Sequence, residues 1–552
     1  MEGSAGWRWD KPTLVVIDYA AALASPLRTW LEILARPETQ AGGRKLRVLL
    51  LERHAERDLG WWADLLRFVS FSDPATDELA DPPEPVRLPS LSDVADRRAL
   101  LAEAMWLAAQ IAEKQPIPEP PPLGANAAFD RRLKDDAINN EPLYLMMAGV
   151  EAIQTGATAA LALSRLDLAD RAASRERARL RHLAAQWGLP EKLVAHVTMC
   201  VTLQGGCGAE DALTLVAKER DAMDFPQTLP PADIVNHLAE ALPVPGGADI
   251  DAIRPDLIGE AFLLQGMREH HRFPKIQIGI VERAGQRAGG KVAATLIRTA
   301  QDFARGDAEH CSVAWLAHLI DRTQDGAALQ ALVAELPDQT LALRELAAQA
   351  QERLAGTLSE QVGAEPESLF LRAGALNNLA VRLAALGRRE PALAAAEEAA
   401  ALYRELAAHR PDAFRPDLAL SLNNLANSLS ALGRREPALV AAEEAAALYR
   451  ELAARRPDAF RPNLAVSLAV QANCLDDLNR AADALTTSME AVSNLAPAFV
   501  QHPAAFAHWM HPIVQQYLRR CDNLGRPYDT ALVEPILAIL QQQDAQTGEQ
   551  PE

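Results

Sequence analysis

The sequence predicts a mostly α-helical, multidomain protein. A partial parallel α/β sheet is expected at the N-terminus, then helical and winged-helix modules, then an α-solenoid. Three observations lead there. Alanine and leucine dominate a chain that is 49 % hydrophobic, and both are strong helix formers. Two unbroken apolar runs, Leu14 to Ile17 and Leu46 to Leu51, sit near the start, as strands buried on both faces do. A unit beginning at Asn377 recurs from Asn423 almost letter for letter, a period of 46 residues, which suits stacked helical pairs.

The bulk properties narrow the classes. At 552 residues the chain should hold several domains. Its formal net charge of -19 argues against a general nucleic-acid binder, because phosphate backbones demand basic surface. Five scattered cysteines, Cys200, Cys207, Cys311, Cys474 and Cys521, show no C-x-x-C spacing, so neither a disulfide framework nor a zinc site is expected. No apolar run approaches a membrane span, and the first residues do not form a signal peptide. A cytoplasmic location with no membrane partner is therefore expected.

The elements follow in order. TLVVIDYAAAL, from Thr13, is a strand that ends in Asp18. PLRTWLEILA, Pro26 to Ala35, is a helix. A second strand, Leu46 to Leu51, ends at Glu52-Arg53, and a short third strand is expected around Val86 to Leu88. Strand, helix, strand at this spacing implies a parallel pair, within a domain over residues 1–113. Leu91 to Glu113 reads as a helix. The proline-rich linker KQPIPEPPPLGAN opens a helical segment, residues 114–188, because no helix crosses it. There NNEPLYLMMAGVEAI carries Pro142 near its first turn, and Arg171 to Trp187 is a basic helix. Short segments over 189–270 suit a winged-helix-like domain, and 271–369 a helical connector. The repeats occupy 370–498. A helical cap over 499–540 and a disordered tail over 541–552 complete the chain.

Each repeat reads as two helices. Pro416 is expected to open the first and Gly433 to close it, with Pro437 opening the second. Leu418, Leu422, Leu425, Leu429 and Leu432 form one apolar face. A degenerate third copy starts at Ala469. ALGRREPAL at the turn and the long second helix ending in ALYREL resemble tetratricopeptide repeats of the long, kinesin-light-chain-like variety. The resemblance implies a protein or peptide ligand on the groove that the first helices line. The candidate contacts are Asn377, Asn378, Asn423, Asn424, Asn427 and Asn473, since an amide offers both donor and acceptor to an extended backbone. Helix-packing asparagines are the alternative. The doublets Glu397-Glu398, Glu443-Glu444, Arg388-Arg389 and Arg434-Arg435 read as solvated faces and turns.

The remaining motifs acquire a meaning from their order. WDKPTLVVIDYAAAL, RVLLLERH, NEPLYLMMAG and RPDLIGEAFLL, followed by repeats, resemble the STAND class of signal-transduction P-loop ATPases, the NACHT- and NB-ARC-like switches. The resemblance implies ATP and Mg²⁺ as the cofactors of intact relatives and oligomerisation as their output, so a homo-oligomer is among the expected assemblies. It makes Asp18 the Walker B aspartate, a Mg²⁺ ligand only if a phosphate loop is supplied. It makes Arg53 the sensor arginine and Pro142 the residue that packs on adenine. A strand-end cap for Asp18 and a surface ion pair for Arg53 are the alternatives. The sequence departs from the pattern. Twelve residues before Thr13 leave no room for a G-x-x-x-x-G-K-[ST] loop, Ala20 to Ala22 supply no second acid, and Asn140 replaces a usual glycine. A near match, GQRAGGKV with Gly285, Gly290 and Lys291, has Val292 where Ser or Thr belongs. No cofactor is therefore assigned, and ATPase activity is not expected of a chain that reads as N-terminally truncated. The expected function is a STAND-like sensor that recognises a protein partner through its repeats, with a degenerate switch. A repeat scaffold without nucleotide binding and an active ATPase are the alternatives.

Overall fold

The computed structural model describes residues 13–17, 27, 46–50, 91, 93–135, 141–226, 229–244, 250–337, 340–360 and 366–547. Among them are 21 helices and a single pair of strands. Strands β1 (Thr13–Ile17) and β2 (Leu46–Leu50) run parallel, Thr13 opposite Leu46 and Ile17 opposite Leu50. This overturns the expected N-terminal α/β sheet. Two five-residue strands are a ladder and not a layer. A parallel sheet needs more strands and helices over both faces, and none of that is present among the described residues. Apolar runs specify local pairing but not a domain. The expected strand near Val86 lies outside the described residues, as do Asp18 and Arg53.

The chain forms two compact units, residues 1–89 with 488–552 and residues 90–487. The larger unit opens with α1 (Val94–Ile111), capped by the Asp93 carboxylate on Ala95 N–H. It packs against α3 (Pro142–Thr155), where the backbones come so close that a Cβ on Gly149 would lie 2.5 Å from Ala104 Cβ. The short helices α2 (Ala127–Leu133) and α4 (Ala157–Leu161) complete this layer. Buried Arg97 ties α1 to the end of α2 through the carbonyls of Leu133 and Asp135, at 2.9 and 3.1 Å.

Helix α5 (Arg165–Trp187) starts in a Ser164/Asp167 capping box and stops at Gly188, φ 66°. Its arginines do not make a basic patch. Arg171 and Arg175 both pair with buried Glu151, Arg177 pairs with Glu269, Arg179 with Glu176 and Arg181 with Glu191. Next come α6 (Glu191–Leu203), α7 (Ala209–Ala222), α8 (Pro231–Ala241) and α9 (Asp256–Arg268). Isolated antiparallel bridges join Cys207 and Pro243 to Ile250 in this region. Helix α10 (Pro274–Phe303) contains GQRAGGKV and kinks at Ala288. Then follow α11 (Cys311–Arg322), α12 (Gly326–Ala334) and α13 (Arg344–Glu360).

The repeats pair α14 (Pro366–Ala385) with α15 (Arg389–His409) and α16 (Pro411–Ala431) with α17 (Arg435–Arg455). Then α18 (Pro457–Asp477) precedes α19 (Ala481–Gln501). Pro416 does not open a helix; it lies inside α16, whose first position is Pro411. A proline one turn in removes a single N–H from the ladder, and the chain tolerates that so near the helix start. Each turn between paired helices uses one left-handed residue: Gly387 and Gly433 at φ 73°, and Asn479 at φ 59° in the third copy. The following N–H returns to a carbonyl five residues back, as in Arg434 N–H to Leu429 O at 2.9 Å.

In the other unit, α20 (Pro503–Asn523) packs on α21 (Thr530–Thr547) through buried residues that include Met510, Val514, Val533 and Ile536. The tail expected to be disordered from residue 541 is helical as far as Thr547, because AILQQQDAQT contains no helix breaker.

A Cβ at Gly433 would touch nothing within 4 Å, so Gly433→Ala isolates the backbone cost. It should lower stability by about 1 kcal/mol, and Asn479→Gly should raise it by a smaller amount. Urea melts of the two variants check both signs.

Candidate functional site

The first helices α14, α16 and α18 stack side by side. One face of each is committed to packing: Leu418, Leu422, Leu425 and Leu429 of α16 are buried, while Leu432 is only partly so. The second helices meet them with alanines, among them Ala396, Ala399, Ala442 and Ala445, all fully buried. Small side chains let the helix axes approach. Tyr449 spans a junction by donating its hydroxyl to Pro416 O at 3.0 Å, and burial pushes that phenol up to about 12.

The six asparagines divide into three groups. Asn377 and Asn423 are buried, Asn424 is half-buried, and Asn378, Asn427 and Asn473 are exposed. The buried ones hold repeat to repeat. Asn423 Nδ2 donates to Ser467 Oγ at 2.7 Å. At the preceding junction Asn377 Oδ1 accepts from Asn424 Nδ2 at 2.9 Å. The two junctions differ because Val470 stands where an amide would have to be to reach Asn423. Asn423 Oδ1 is consequently buried without a hydrogen-bond partner, and Ser421 Oγ, the counterpart of Ser467 at the preceding junction, is buried without one too. Packing is thus the role of Asn377 and Asn423, which a sequence period alone does not distinguish from a binding role.

The exposed asparagines share their stripe with residues that sequence reasoning missed. Leu420, Asn424 and Asn427 follow one another at helical spacing on α16, as do Gly374, Asn378 and Val381 on α14. Leu420 and Val381 are 47 % and 50 % exposed, large apolar side chains facing out of a well-packed array. The signal was available: Val381 is the 46-residue counterpart of Asn427. On α18 the stripe continues through Val466, Val470 and Asn473 to Asp477, which accepts a hydrogen bond from Ser430. The middle of this surface is amide and aliphatic, and acidic residues flank it: half-buried Asp417 before Leu420, and Asp476 and Asp477 after Asn473.

Of the residues tied to nucleotide binding, Pro142 is described; it is exposed at the first position of α3. GQRAGGKV is helical on both sides of the kink. A phosphate loop needs successive free N–H groups, whereas most of those in a helix are spent on carbonyls four residues back. Gly285 serves packing, since a Cβ there would lie 2.3 Å from Leu319 Cδ1, and Lys291 is exposed. The segment Asp256 to Leu264 lies in α9. Within it Glu260 is buried, and burial, reinforced by Asp302 and partly offset by Arg298, pushes its carboxyl up to about 9.

A second cluster of reactive side chains lies among α6, α7 and α10. His196, Cys200 and Glu219 are all buried, with ligating atoms within 4.8 Å of one another. Composition suggests a metal site; the hydrogen bonding does not fit one. Glu219 accepts from Arg283 Nε at 3.0 Å and Nη2 at 2.7 Å, from Arg287 Nη2 at 3.1 Å, and pairs with His196 Nε2 at 3.1 Å. Those four contacts occupy the four lone-pair sites of a carboxylate. Two guanidinium charges also stand where a dication would. Burial would raise the Glu219 carboxyl, but hydrogen bonds from His196 and Arg283 and the Arg283 charge overcome it and hold it at about 2. Burial, reinforced by Glu219, pushes the Cys200 thiol well above its ordinary range, so it is no ready nucleophile. The cluster is a buried ion-pair lock. His196 with Cys200 and Arg283 with Arg287 are each four apart on their own helices, but that spacing does not point to Glu219.

Comparison with known proteins agrees with the repeat geometry. The tetratricopeptide repeat family model matches residues 372–409 and 418–455. The chain therefore carries tetratricopeptide repeats over those segments, of the kind that commonly mediates protein–protein interaction. No curated protein matches the sequence. Among solved structures the chain is similar to a Signal Transduction ATPase with Numerous Domains (STAND) protein with a tetratricopeptide repeat sensor from Pyrococcus horikoshii. The two are 12 % identical, with a TM-score of 0.32, over 97 % of this chain and 82 % of that one. No helix among the described residues is long and apolar enough to cross a membrane.

Two predictions follow from the buried polar groups. Ser421→Ala removes an unpaired hydroxyl and should be neutral or stabilising by about 1 kcal/mol, whereas Ser467→Ala strands the Asn423 amide and should cost about 1–3 kcal/mol. Parallel denaturant melts separate the two serines. The Glu219 carboxyl is depressed in the folded state, so its contribution to stability is present above the ordinary glutamate value of about 4.3. It is lost as pH falls from there toward 2. Glu219→Gln should lower stability at pH 7 by about 3–5 kcal/mol and flatten the acid limb of a stability–pH profile.

Proposed function

We propose that the protein is a tetratricopeptide-repeat recognition scaffold, of the kind that serves sensors, and that it captures an extended segment of another protein on the exposed face of α14, α16 and α18. The observation that carries this reading is the stripe of exposed amides and aliphatic side chains repeated on adjacent first helices. Asn378 and Asn427 offer donors and acceptors to peptide groups, and Val381 and Leu420 offer apolar contact. The amides and aliphatic side chains of its middle favour an uncharged, apolar-rich segment, and the flanking Asp417, Asp476 and Asp477 disfavour an acidic one. Each neutral hydrogen bond contributes about 0.5–1.5 kcal/mol net, and ordering the segment opposes binding. The amides therefore set register, and the apolar contacts are needed for affinity. Micromolar binding is the expected range, about −8 kcal/mol.

The finer reading, a STAND-like signalling protein with a degenerate nucleotide switch, draws its support from the order of the N-terminal motifs. In that reading the partner is recognised through the same repeats, and the capture proposed above needs nothing from a nucleotide.

Selecting a random peptide library on the full chain tests the proposal. Uncharged, apolar-rich sequences should enrich, and the Asn378→Ala, Asn427→Ala double variant should bind them about tenfold more weakly or worse, with an unchanged melting temperature because both side chains are exposed. Equal binding by the variant, or enrichment of charged sequences, overturns it.

A further inference from the structure

Helix α10 is bent in its middle. Ala288 has φ -149° and ψ 53°, outside the helical range, while the residues on both sides of it keep helical angles. Sharp bends in helices have identifiable causes, proline and glycine foremost. Proline is not the cause here, since Pro274 sits at the first position of the helix. Gly289 and Gly290 follow the bend directly. Glycine inside a helix lowers its stability relative to alanine, so each one calls for a reason. Gly285 has one, the closeness of Leu319. A Cβ on Gly289 or Gly290 would meet nothing within 4 Å, and neither has a left-handed φ. Alanine would fit both places as they stand. The conformation seen thus makes no use of what glycine supplies, which is freedom to leave the helix.

The two halves of the helix are held separately. Before the bend, Arg283 and Arg287 grip Glu219 of α7, and Glu282 pairs with His318 of α11 at 2.8 Å. After it, Arg298 lies 3.4 Å from Asp256 and 3.5 Å from Glu260 of α9, and Asp302 pairs with Arg165 at the start of α5 at 3.2 Å. Between these anchors the backbone carries Ala288, Gly289, Gly290 and exposed Lys291. There is also room to move. A cleft of about 470 Å³ opens beside the bend, with Gly285, Gly289 and Gly290 on one side and Leu319 of α11 and Ala328 and Leu332 of α12 on the other.

We infer that residues 288–290 are a hinge at which α10 takes up more than one bend, widening and narrowing the cleft between α10 and α12. The ion pairs keep each half fixed to its own neighbours, so the change falls on those three residues. Neither capture of a partner on the repeats nor the nucleotide motifs account for such motion.

Electron-spin distance measurements on the full chain test it. Spin labels are carried on unnatural ketone side chains at exposed Lys275 and Gln301, so that the five native cysteines are left alone. The two sites would lie about 39 Å apart if α10 were straight. The parent chain should give a broad or two-peaked distribution of distances. The Gly289→Ala, Gly290→Ala double variant should give a single narrow one, with a melting temperature no lower than the parent's because both methyl groups enter open space. Gly290→Ala alone, at an exposed position, should narrow the distribution in part. Hydrogen exchange supplies a second readout without labels. Amides of residues 288–292 should exchange about tenfold more slowly in the double variant, since each alanine strengthens the local helix. The hinge is overturned by a distribution as narrow in the parent chain as in the variants, by one that stays broad in all three, or by unchanged exchange over 288–292.

Discussion

A pair of helices cannot bury the apolar face of each of its members by itself, and the architecture of residues 366–487 follows from that. Leu418, Leu422, Leu425 and Leu429 need cover, and Ala438, Ala442 and Ala445 of the next helix supply it at close range. The same requirement passes from α14 through α18, since each pair is finished only by its neighbour. Alanine at the contacts brings the helices near enough for polar groups on successive first helices to touch. The Asn424 to Asn377 and Asn423 to Ser467 bonds are products of that closeness. They fix register in an interface whose apolar part, nearly identical from repeat to repeat, would tolerate a slip.

Away from the repeats, charge rather than alanine organises the packing. Glu219 on α7 gathers His196 from α6 and Arg283 and Arg287 from α10. Glu151 on α3 gathers two arginines of α5. A buried carboxylate surrounded by donors is costly to assemble and more costly to break. Such clusters therefore say which helices must meet. They also explain why a helix as basic as α5 presents little free positive charge, in accord with a chain of net charge -19.

With the inner faces of the repeat helices committed to packing, the side chains left over stand out. On the repeats these are Asn378, Asn427, Val381 and Leu420, which do no packing work in proportion to their size. There the protein forgoes stability that a different residue would recover, and binding is the physical reason proposed for it.

The sequence by itself determined the repeat, its period, its helix pairs and its turns, because these depend on local spacing and on residues such as Gly387 and Gly433 that tolerate a left-handed backbone. It also determined the helical character of most of the chain. It did not determine which asparagine of each pair faces inward. Asn377 and Asn378 are neighbours about 100° apart on one helix, and only the stacking of the next repeat selects between them. Nor did it show that, among the described residues, two apolar runs would yield a two-stranded ladder instead of an α/β layer, since a sheet depends on what covers its faces. The Glu219 lock is decided in the same way. His196, Glu219 and Arg283 lie far apart in the chain, and no local pattern announces partners that only the packing of three helices brings within 3 Å or so of one another.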